Sequence, residues 1–322
     1  MLRIATLNIN GVRAAHRRGF ADWLTTRGCD VVALQEVRAP LSKLPPDAFG
    51  DHHVVYEPGQ IAGRNGVAVL TRQRPVAVRT WDADVLLRAP GQEHLHTEAA
   101  PDDVPLARGL GRHAHEGRYV EVDLAEAPIT VASLYLPKGG LPARLQIPSR
   151  MREAPDGGAR YERKMRFMAA FARQLTRTRR AAAARGREFL LMGDLNVAHT
   201  TLDVARWRTS QTSEGFLPEE REWIDSLLSP RSLVDVVRAV HPGVAGPYAW
   251  WSWLGEAYAK DVGWRIDYHL ATPRLARTAV SATVDRHHRG VRLSDHAPVV
   301  VDYAVESLER GSGSRSTPVP SR

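Results

Sequence analysis

The sequence predicts an α/β fold, because short apolar runs typical of strands alternate with segments of helical periodicity. The chain has 322 residues and is 43% hydrophobic, which is enough for one large core or two modest ones. It shows no repeat at a fixed short period and no linker that splits it. We therefore expect one folded domain over residues 1–306. The remaining segment, 307–322, is polar and carries Gly, Ser and Pro, which predicts a disordered tail.

The strands are predicted from short apolar runs bounded by turn-forming residues. They follow one another along the whole chain, and polar or glycine-rich segments separate them. The predicted strands are 3–7, 30–34, 66–70, 118–124, 129–136, 189–192, 266–271 and 298–303.

One helix is predicted more clearly than the others, over residues 161–184. Its apolar residues repeat at spacings of four and three while Arg and Gln fill the other face, which is the pattern of an amphipathic helix. We interpret the Met and aromatic positions as ordinary core contacts. The repeating residues are Tyr161, Met165, Met168, Ala172 and Leu175.

Two stretches rich in Pro, Gly and His, 88–117 and 137–160, are predicted to be long loops of unassigned role. The first contains four histidines at two i, i+2 spacings, which raises zinc binding as an alternative. No cysteine lies nearby, and histidine pairs in loops are usually exposed to solvent, so exposure is the favoured interpretation. These histidines are His94, His96, His113 and His115.

The net charge of +8 favours an anionic partner and is concentrated in one segment. Residues 144–187 contain 13 Lys and Arg against 3 Asp and Glu, so the rest of the chain carries −2. Such a surface binds nucleic acid by neutralising phosphates and releasing counterions. The alternative is a solvated helix face in an arginine-rich protein, and charge alone does not decide between them.

The compartment is predicted from the cysteine content and from the hydropathy of the chain. The single cysteine, Cys29, excludes an internal disulfide and a cluster of thiolate ligands. No run of roughly 18 apolar residues is present, and the first residues lack the pattern of a signal peptide. We therefore expect a soluble, cytoplasmic monomer with no membrane partner.

Polar side chains recur at the ends of predicted strands. Short acids and amides, together with one tyrosine and one histidine, are what a hard-cation site with acid/base chemistry needs, and rigid strands can direct them to a common edge. Each motif alone is weak, because an Asp or Asn after a strand is usually a turn former or a helix cap. These residues are Asn8, Asn10, Gln35, Glu36, Tyr135, Asp194, Asn196, Asp295 and His296.

As an ordered set these motifs are specific. The segments TLNINGVRA, ALQE, LYLPKGG, MGDLNVAHTTLD, GWRIDYHLA and SDHAPV resemble the signature blocks of the exonuclease III family of apurinic/apyrimidinic (AP) endonucleases. That family belongs to a wider superfamily of metal-dependent endonucleases, exonucleases and phosphatases. The resemblance covers residues 5–299. It implies a four-layer α/β sandwich, in which two mixed β-sheets pack face to face with helices outside.

The resemblance also implies a metal site. Glu36 matches the principal metal carboxylate, and Asn8 and Asp295 are implied to lie close to the same ion. Magnesium suits a site with few carboxylates and several retained waters, and manganese could replace it. Asn10 stands where some members carry aspartate, which puts direct ligation by residue 10 in doubt.

Catalytic roles are implied in the same way. Asp194 resembles the residue that orients or deprotonates the attacking water, with Asn196 beside it at the phosphate. Tyr135 and His296 are implied to contact the phosphate, and Asp267 to hold the histidine ring. The alternative for Asp267, a core salt bridge to its neighbour Arg265, is disfavoured once the other motifs are considered.

The substrate implied is double-stranded DNA with an abasic site or a blocked 3′ end. Trp250, Trp264 and Ile266 match positions that line a small apolar pocket for the flipped, baseless sugar, although tryptophan is also common in cores. Arg13 and Lys138 are expected to contact the substrate, but Lys138 stands where an amide is common and could equally point to solvent. The expected activity is metal-dependent cleavage 5′ to the abasic site, with 3′-to-5′ exonuclease or 3′-end-cleaning activity.

Two alternative functions share parts of this pattern. Superfamily relatives that act on phospholipid head groups or inositol phosphates have the same acidic and histidine core, so that core predicts only phosphoester hydrolysis. The aromatic segments and the basic segment favour DNA. A non-catalytic nucleic-acid-binding module is the third possibility, but it has no need for a complete set of catalytic positions.

Overall fold

The computed structural model describes residues 1–61, 63–100, 104–151 and 154–309. Strands and helices both occur along the chain, as the α/β prediction requires, although β3 to β9 follow one another with only a 3₁₀ turn among them. The strands are β1 Leu2–Asn8, β2 Val31–Gln35, β3 His53–Glu57, β4 Val67–Thr71, β5 Ala77–Thr80, β6 Asp84–Arg88, β7 His96–Ala99, β8 Tyr119–Asp123, β9 Ile129–Tyr135, β10 Glu188–Asp194, β11 Val234–Asp235, β12 Asp267–Ala271, β13 Ala279–Val284 and β14 Val299–Tyr303.

The helices are mostly short, with one exception of 26 residues that joins two neighbouring parallel strands. They are α1 Val12–Arg17, α2 Phe20–Arg27, α3 Ala159–Ala184, α4 Pro218–Leu227, α5 Val236–Val240, α6 Pro273–Ala276 and α7 Glu306–Glu309. Short 3₁₀ turns lie at Leu41–Lys43, Gly111–Glu116, Ala143–Leu145, Pro148–Arg150 and Thr201–Asp203.

The strands form two mixed sheets. The first has the order β13-β14-β1-β2-β4-β3-β6-β7, and the second has the order β11-β12-β10-β9-β8-β5. Each contains one parallel pair at its centre, β1 with β2 and β9 with β10, among antiparallel neighbours. The predicted α/β sandwich of two mixed sheets is confirmed.

Alternation along the central strands buries both faces of each sheet, which gives four layers. Ile4 lies in the core between the sheets, whereas Ala5 and Leu7 pack in the core that includes residues of α1 and α2. In the second sheet Met192 faces the first sheet, and Leu191 packs in the core formed with α3 and α4. Strands buried on both faces read as continuous apolar runs, which is why the sequence predicts them.

The strands that the sequence did not predict lie mainly towards the sheet edges. β7 is exposed along its whole length, β5 is mostly half-buried, and β13 mixes half-buried with exposed residues, so they lack the apolar run of a central strand. The predicted loop 88–117 is wrong in part, since it contains β7 and the 3₁₀ turn Gly111–Glu116. Of the predicted tail, residues 310–322 lie outside the described residues, and 307–309 belong to α7.

Candidate active site

The polar strand ends meet at one edge of the two sheets. In the second sheet Asp194 lies opposite Tyr135 on one side and Asp267 on the other, while Asn8 pairs with Gln35 in the first. A cleft of about 450 Å³ opens at this edge. It is lined by Asn10, Glu36, Arg38, Tyr135, Lys138, Asp194, Asn196, Ser213, Glu214, Gly215, Trp250, Trp264, Ile266, Asp295 and His296.

A tight turn after β10 presents Asp194 and Asn196 together. Gly193 has φ of 141°, and a Cβ there would lie 2.0 Å from the carbonyl oxygen of Leu134, so only glycine fits beside β9. Asn196 adopts the left-handed conformation at φ 49°, which asparagine tolerates better than most residues. Its backbone N–H donates to Asp194 Oδ1 over 2.8 Å, and its Nδ2 donates to the Leu136 carbonyl over 2.9 Å.

Asn8 joins two carboxylates. Its Nδ2 donates to Glu36 Oε1 over 3.0 Å and to Asp194 Oδ2 over 2.9 Å. Its Oδ1 accepts the backbone N–H of Asn10 over 3.1 Å, and because that N–H can only donate, the amide orientation is fixed. Asn8 therefore presents donors to the carboxylates and links Glu36 to Asp194, while its expected place close to the metal stays a prediction.

Glu36 and Asp295 are linked through two residues that the sequence did not assign as ligands. The Arg38 guanidinium contacts the Glu36 carboxylate and donates from Nη1 to Asn10 Oδ1 over 2.6 Å. Asn10 Nδ2 in turn donates to Asp295 Oδ1 over 2.7 Å. The amide of Asn10 is thus satisfied by its neighbours, which agrees with the doubt about direct ligation by this residue.

Asp267 holds the ring of His296, as the resemblance implies. Asp267 Oδ2 and His296 Nδ1 are 2.9 Å apart, and the other ring nitrogen lies 3.8 Å from Asp194 Oδ2. The alternative partner, Arg265, is paired elsewhere, with Asp203 over 2.7 Å and with Asp235 over 2.8 Å. The core salt bridge between Arg265 and Asp267 is therefore wrong.

Burial and neighbouring charges together determine which of Asp194, Asp267 and His296 carry a proton. Burial alone would lower the pKa of His296, but the carboxylates of Asp267, Asp194 and Asp295 together outweigh it and raise that pKa to about 10. Burial raises the pKa of Asp194, while the His296 cation opposes the shift. The proton therefore stays on the imidazole at neutral pH, which makes His296 a cation facing the cleft.

Tyr135 lies among these acids with 9% of its surface exposed. Burial raises the pKa of its hydroxyl well above the usual value, and the carboxylates of Glu36 and Asp194 add to the shift. The hydroxyl consequently remains protonated and can donate a hydrogen bond. Arg118 stacks over the ring at 5.4 Å and donates to the Tyr135 carbonyl over 3.1 Å, which fixes the end of β9.

An apolar wall of the cleft, formed by Trp250, Trp264 and Ile266, lies beside the charged side chains. Trp250 and Trp264 form a backbone bridge, and their rings meet edge to face at 6.3 Å. Ile266 is 7% exposed and packs in the same cluster with Phe216. Trp250 Nε1 also donates to Asp295 Oδ2 over 3.3 Å, so the wall and the acidic group are physically connected.

The two predicted basic contacts differ in position. Lys138 lines the cleft and is 68% exposed, with its Nζ 3.3 Å from Glu214 Oε1. Arg13 is an exposed residue of α1 and is not part of the cleft lining. Sequence reasoning missed Arg38, Ser213 and Glu214. A basic residue two positions after Glu36 was a signal for the first, whereas the loop before α4 carried none.

The acidic donors fit a hard divalent cation. Glu36 and Asp295 supply two carboxylates in one cleft, and across the described ranges no group of three or more His, Cys, Asp and Glu side chains is arranged to hold a metal. A cation with few protein ligands and several retained waters is the magnesium pattern. The loop histidines do not converge, since His113 pairs with Glu116 and His115 with Asp82. The expected solvent exposure is wrong for His113, which is buried, with 2% of its surface exposed.

Two carboxylates, a buried aspartate and an imidazolium at one sheet edge define a phosphoester-cleaving class of site on a four-layer sandwich. Residues 5–296 match the model of the Endonuclease/Exonuclease/phosphatase family. The chain belongs to this family, and its resemblance to AP endonucleases of the exonuclease III type is confirmed.

Named relatives agree. A DNA-(apurinic or apyrimidinic site) endonuclease of Dictyostelium discoideum is 28% identical, covering 94% of this chain and 71% of the relative. An exodeoxyribonuclease of Bacillus subtilis is 26% identical, covering 92% and 98%. An AP endonuclease structure from Archaeoglobus fulgidus superposes with a TM-score of 0.71 at 25% identity, covering 95% of this chain and all of that one. Among the helices of the described residues, none is long and apolar enough to cross a membrane.

Proposed function

We propose that this protein is a magnesium-dependent DNA-repair phosphodiesterase that cuts the backbone 5′ to an abasic site and leaves a 3′-hydroxyl. Removal of 3′-terminal nucleotides or blocking groups at the same site is part of the proposal. The observation that carries it is the meeting of Asp194, the Asp267–His296 pair and the Trp250–Trp264 wall in one cleft.

Hydrolysis requires a group that accepts a proton from the attacking water. Asp194 is held by Asn8 and by the Asn196 backbone, and burial raises its pKa towards the range in which a carboxylate accepts a proton efficiently. In the proposed step, the water oxygen bonds to phosphorus, its proton passes to Asp194, and the bond from phosphorus to the upstream O3′ breaks; the departing O3′ takes a proton from solvent and becomes the 3′-hydroxyl. A base on a strand end keeps the fixed geometry that in-line attack needs.

Charge develops on the phosphoryl oxygens during this step. The His296 cation and the protonated Tyr135 hydroxyl face the same cleft, so both can donate to those oxygens. Glu36 and Asp295 would hold the magnesium ion, which supplies Lewis-acid polarisation of the phosphate when bound. Arg38, which contacts Glu36, lies close enough to join this charge network.

Selectivity for a missing base is assigned to the apolar wall. A baseless sugar fits a small pocket between Trp250, Trp264 and Ile266, and its extrusion costs least because no base has to be unstacked. DNA is the proposed partner because the basic segment 144–187 offers phosphate contacts close to the cleft. Arg144, in the loop after β9, is 64% exposed.

A panel of 5′-labelled duplexes tests the proposal. One duplex carries an abasic site, a second is intact, and a third ends in a 3′-phosphate; each is incubated with purified protein in magnesium or in EDTA. We expect incision 5′ to the abasic site and loss of the 3′-phosphate in magnesium only. Inertness towards all three, together with hydrolysis of an inositol phosphate or a phospholipid, would establish the alternative substrate class.

A further inference from the structure

A fully buried ion pair lies directly beneath the Asp194–Asn196 turn. Lys164 of α3 and Glu220 of α4 each have 0% side-chain exposure, and Nζ and Oε1 are 2.6 Å apart. The Lys164 ammonium also donates to the backbone carbonyl of Asn196 over 2.9 Å. Neither residue lines the cleft, so neither can touch the substrate directly.

Three segments that line one side of the cleft contact Lys164 or the carbonyl that it binds: the loop after β9, the Asp194–Asn196 turn and the loop before α4. The loop after β9 packs closely against the alkyl chain of Lys164, since a Cβ on Gly139 would lie 2.5 Å from Lys164 Cδ. The loop before α4 packs on the same carbonyl from another side, since a Cβ on Gly215 would lie 3.0 Å from Asn196 O. Lys138, Asp194, Asn196, Ser213, Glu214 and Gly215 of these segments all line the cleft.

A further hydrogen bond holds the Glu220 carboxylate of this ion pair in place. Its second carboxylate oxygen accepts the Leu217 backbone N–H over 3.1 Å at the start of α4. The ammonium is therefore held between a helix terminus and the Asn196 carbonyl. Because desolvation offsets most of the attraction in a buried ion pair, stability alone does not account for one placed here.

We propose that Lys164 and Glu220 are positioning residues that hold the Asp194–Asn196 turn in its reactive conformation. Asn196 has φ of 49°, a conformation that costs free energy for residues other than glycine. The ammonium bound to its carbonyl opposes relaxation of this turn. Relaxation would rotate the Asn196 N–H away from Asp194 Oδ1 and move the carboxylate relative to the phosphorus. This role rests on the proposed function.

The double variant Lys164→Met/Glu220→Gln tests it. Methionine matches the lysine stem, and glutamine keeps an acceptor for the Leu217 N–H, so both buried charges are removed together. We expect a Tm close to that of the wild type, DNA affinity in EDTA within about threefold, and a single-turnover cleavage rate lower by about tenfold to a hundredfold. A folded double variant with the wild-type rate would overturn the proposal.

A matched buried pair at the far side of the second sheet provides the control. Arg79 and Glu121 lie 3.4 Å apart on β5 and β8, with side chains 8% and 2% exposed. Arg79→Met/Glu121→Gln is expected to change stability and leave the single-turnover rate unchanged. An equal loss of rate in this variant would mean that any buried pair has the same effect, which also overturns the positioning role.

Glu220→Gln alone covers the case in which the double variant does not fold. It is isosteric but leaves the Lys164 ammonium without its counter-charge, which lowers stability, so rates are taken at low temperature and scaled to the folded fraction. We expect a several-fold lower single-turnover rate with unchanged DNA affinity. A wild-type rate would contradict the proposal. All rates are taken relative to wild type on the same abasic duplex. An inactive wild type contradicts the proposed function, whereas an active wild type with a fully active variant contradicts only the positioning role.

Discussion

The side chains of Asp194 and His296 approach to 3.8 Å in a buried cleft, and in the proposed mechanism the protonation of these two groups governs the chemistry. The carboxylates of Asp267, Asp194 and Asp295 together raise the pKa of His296 to about 10, so the ring is cationic when DNA is bound at neutral pH. The Asn8 amide donates hydrogen bonds to both neighbouring carboxylates. It therefore orients Asp194 without transferring a proton to it, and Asp194 remains able to accept a proton from water. The proposed roles of base and cation are thus separated by environment.

Asp194→Asn tests the base at the scale of one atom. Asparagine keeps the size and one acceptor oxygen but cannot take a proton from water. We expect single-turnover cleavage to fall by roughly 10²–10⁴-fold, with DNA affinity in EDTA preserved. Asp84→Asn, at an exposed position of β6, serves as the control and should retain the wild-type rate. Retained cleavage by Asp194→Asn would show that another group activates the water.

Trp264→Ala tests the pocket for the baseless sugar. Trp264 contributes its ring to the apolar wall of the cleft, so truncation should reduce abasic-site cleavage more than it reduces the fraction of folded protein. The preference for abasic over intact duplex should also narrow. Cleavage of both duplexes and the Tm are the measurements.

Trp81→Ala is the matched control for this substitution, because Trp81 is 8% exposed in the core beneath α3 and away from the cleft. It should lose stability and keep the substrate preference. If both tryptophan variants lose activity only in proportion to the loss of folded protein, Trp264 serves packing and the pocket assignment is incorrect.

Residue roles were predictable from the sequence where a motif carries the chemistry, and not where an interaction depends on packing. The Asp267–His296 pair is predicted by two motifs and is present at 2.9 Å. The orientation of the Asn8 amide depends on the Asn10 N–H, which no spacing in the sequence reveals. Lys164 belongs to the basic segment by sequence, yet it is fully buried beneath the turn.

At the scale of elements, most central strands and the long helix were predicted, whereas the sheet edges and the internal, buried strand β3 were not. Central strands bury both faces, and the amphipathic pattern of α3 covers its whole length. β7 has no buried residue, so local composition does not distinguish it from a loop. β7 is a strand because it pairs with β6, and such pairing depends on the folded sheet and not on the local sequence.

The basic segment is the element-scale prediction for DNA binding. Exposed arginines at its end nearest the cleft, Arg144, Arg163 and Arg166, have acidic neighbours but retain 50–64% side-chain exposure. Changing all three to Gln should weaken binding uniformly across sequences. The slope of log affinity against log salt should flatten by about one unit for each phosphate interaction that the substitutions abolish.

The control for the salt slope uses arginines at the opposite end of the sheets. Arg72 and Arg74 follow β4, whose end pairs with the start of β2, far from the edge that carries Glu36. Changing both to Gln should leave the slope unchanged. Equal slopes for all three proteins would show that the basic segment near the cleft is only solvated.

For the whole molecule, one buried histidine links the two sheets and makes stability depend on pH. His269 of β12 lies 3.2 Å from the Val299 carbonyl and 3.2 Å from the Tyr303 hydroxyl, both on β14 of the other sheet. Burial lowers its pKa to about 4, against about 6.5 in the unfolded chain. The unfolded state therefore binds more protons between these values, and stability falls as the pH falls through that window.

We expect His269 to account for about 2 kcal/mol of the free energy of unfolding lost between pH 7 and pH 5, at about 1.4 kcal/mol per pH unit. Urea unfolding of His269→Gln should lack this part of the pH dependence. His94→Gln, at a side chain 86% exposed, should behave as the wild type does. Identical pH dependence in His269→Gln and wild type would contradict the assigned shift.

The central claim is that this sheet edge hydrolyses a phosphodiester at phosphorus, and single-turnover cleavage of an abasic duplex in H₂¹⁸O tests it most directly. Attack by water with loss of the upstream O3′ predicts one ¹⁸O atom on the 5′-phosphate of the downstream fragment and an unlabelled 3′-hydroxyl on the upstream one. Mass spectrometry of both fragments measures the label. A strand break without ¹⁸O, ending in an unsaturated sugar on the 3′ side, would reveal elimination instead and contradict the account.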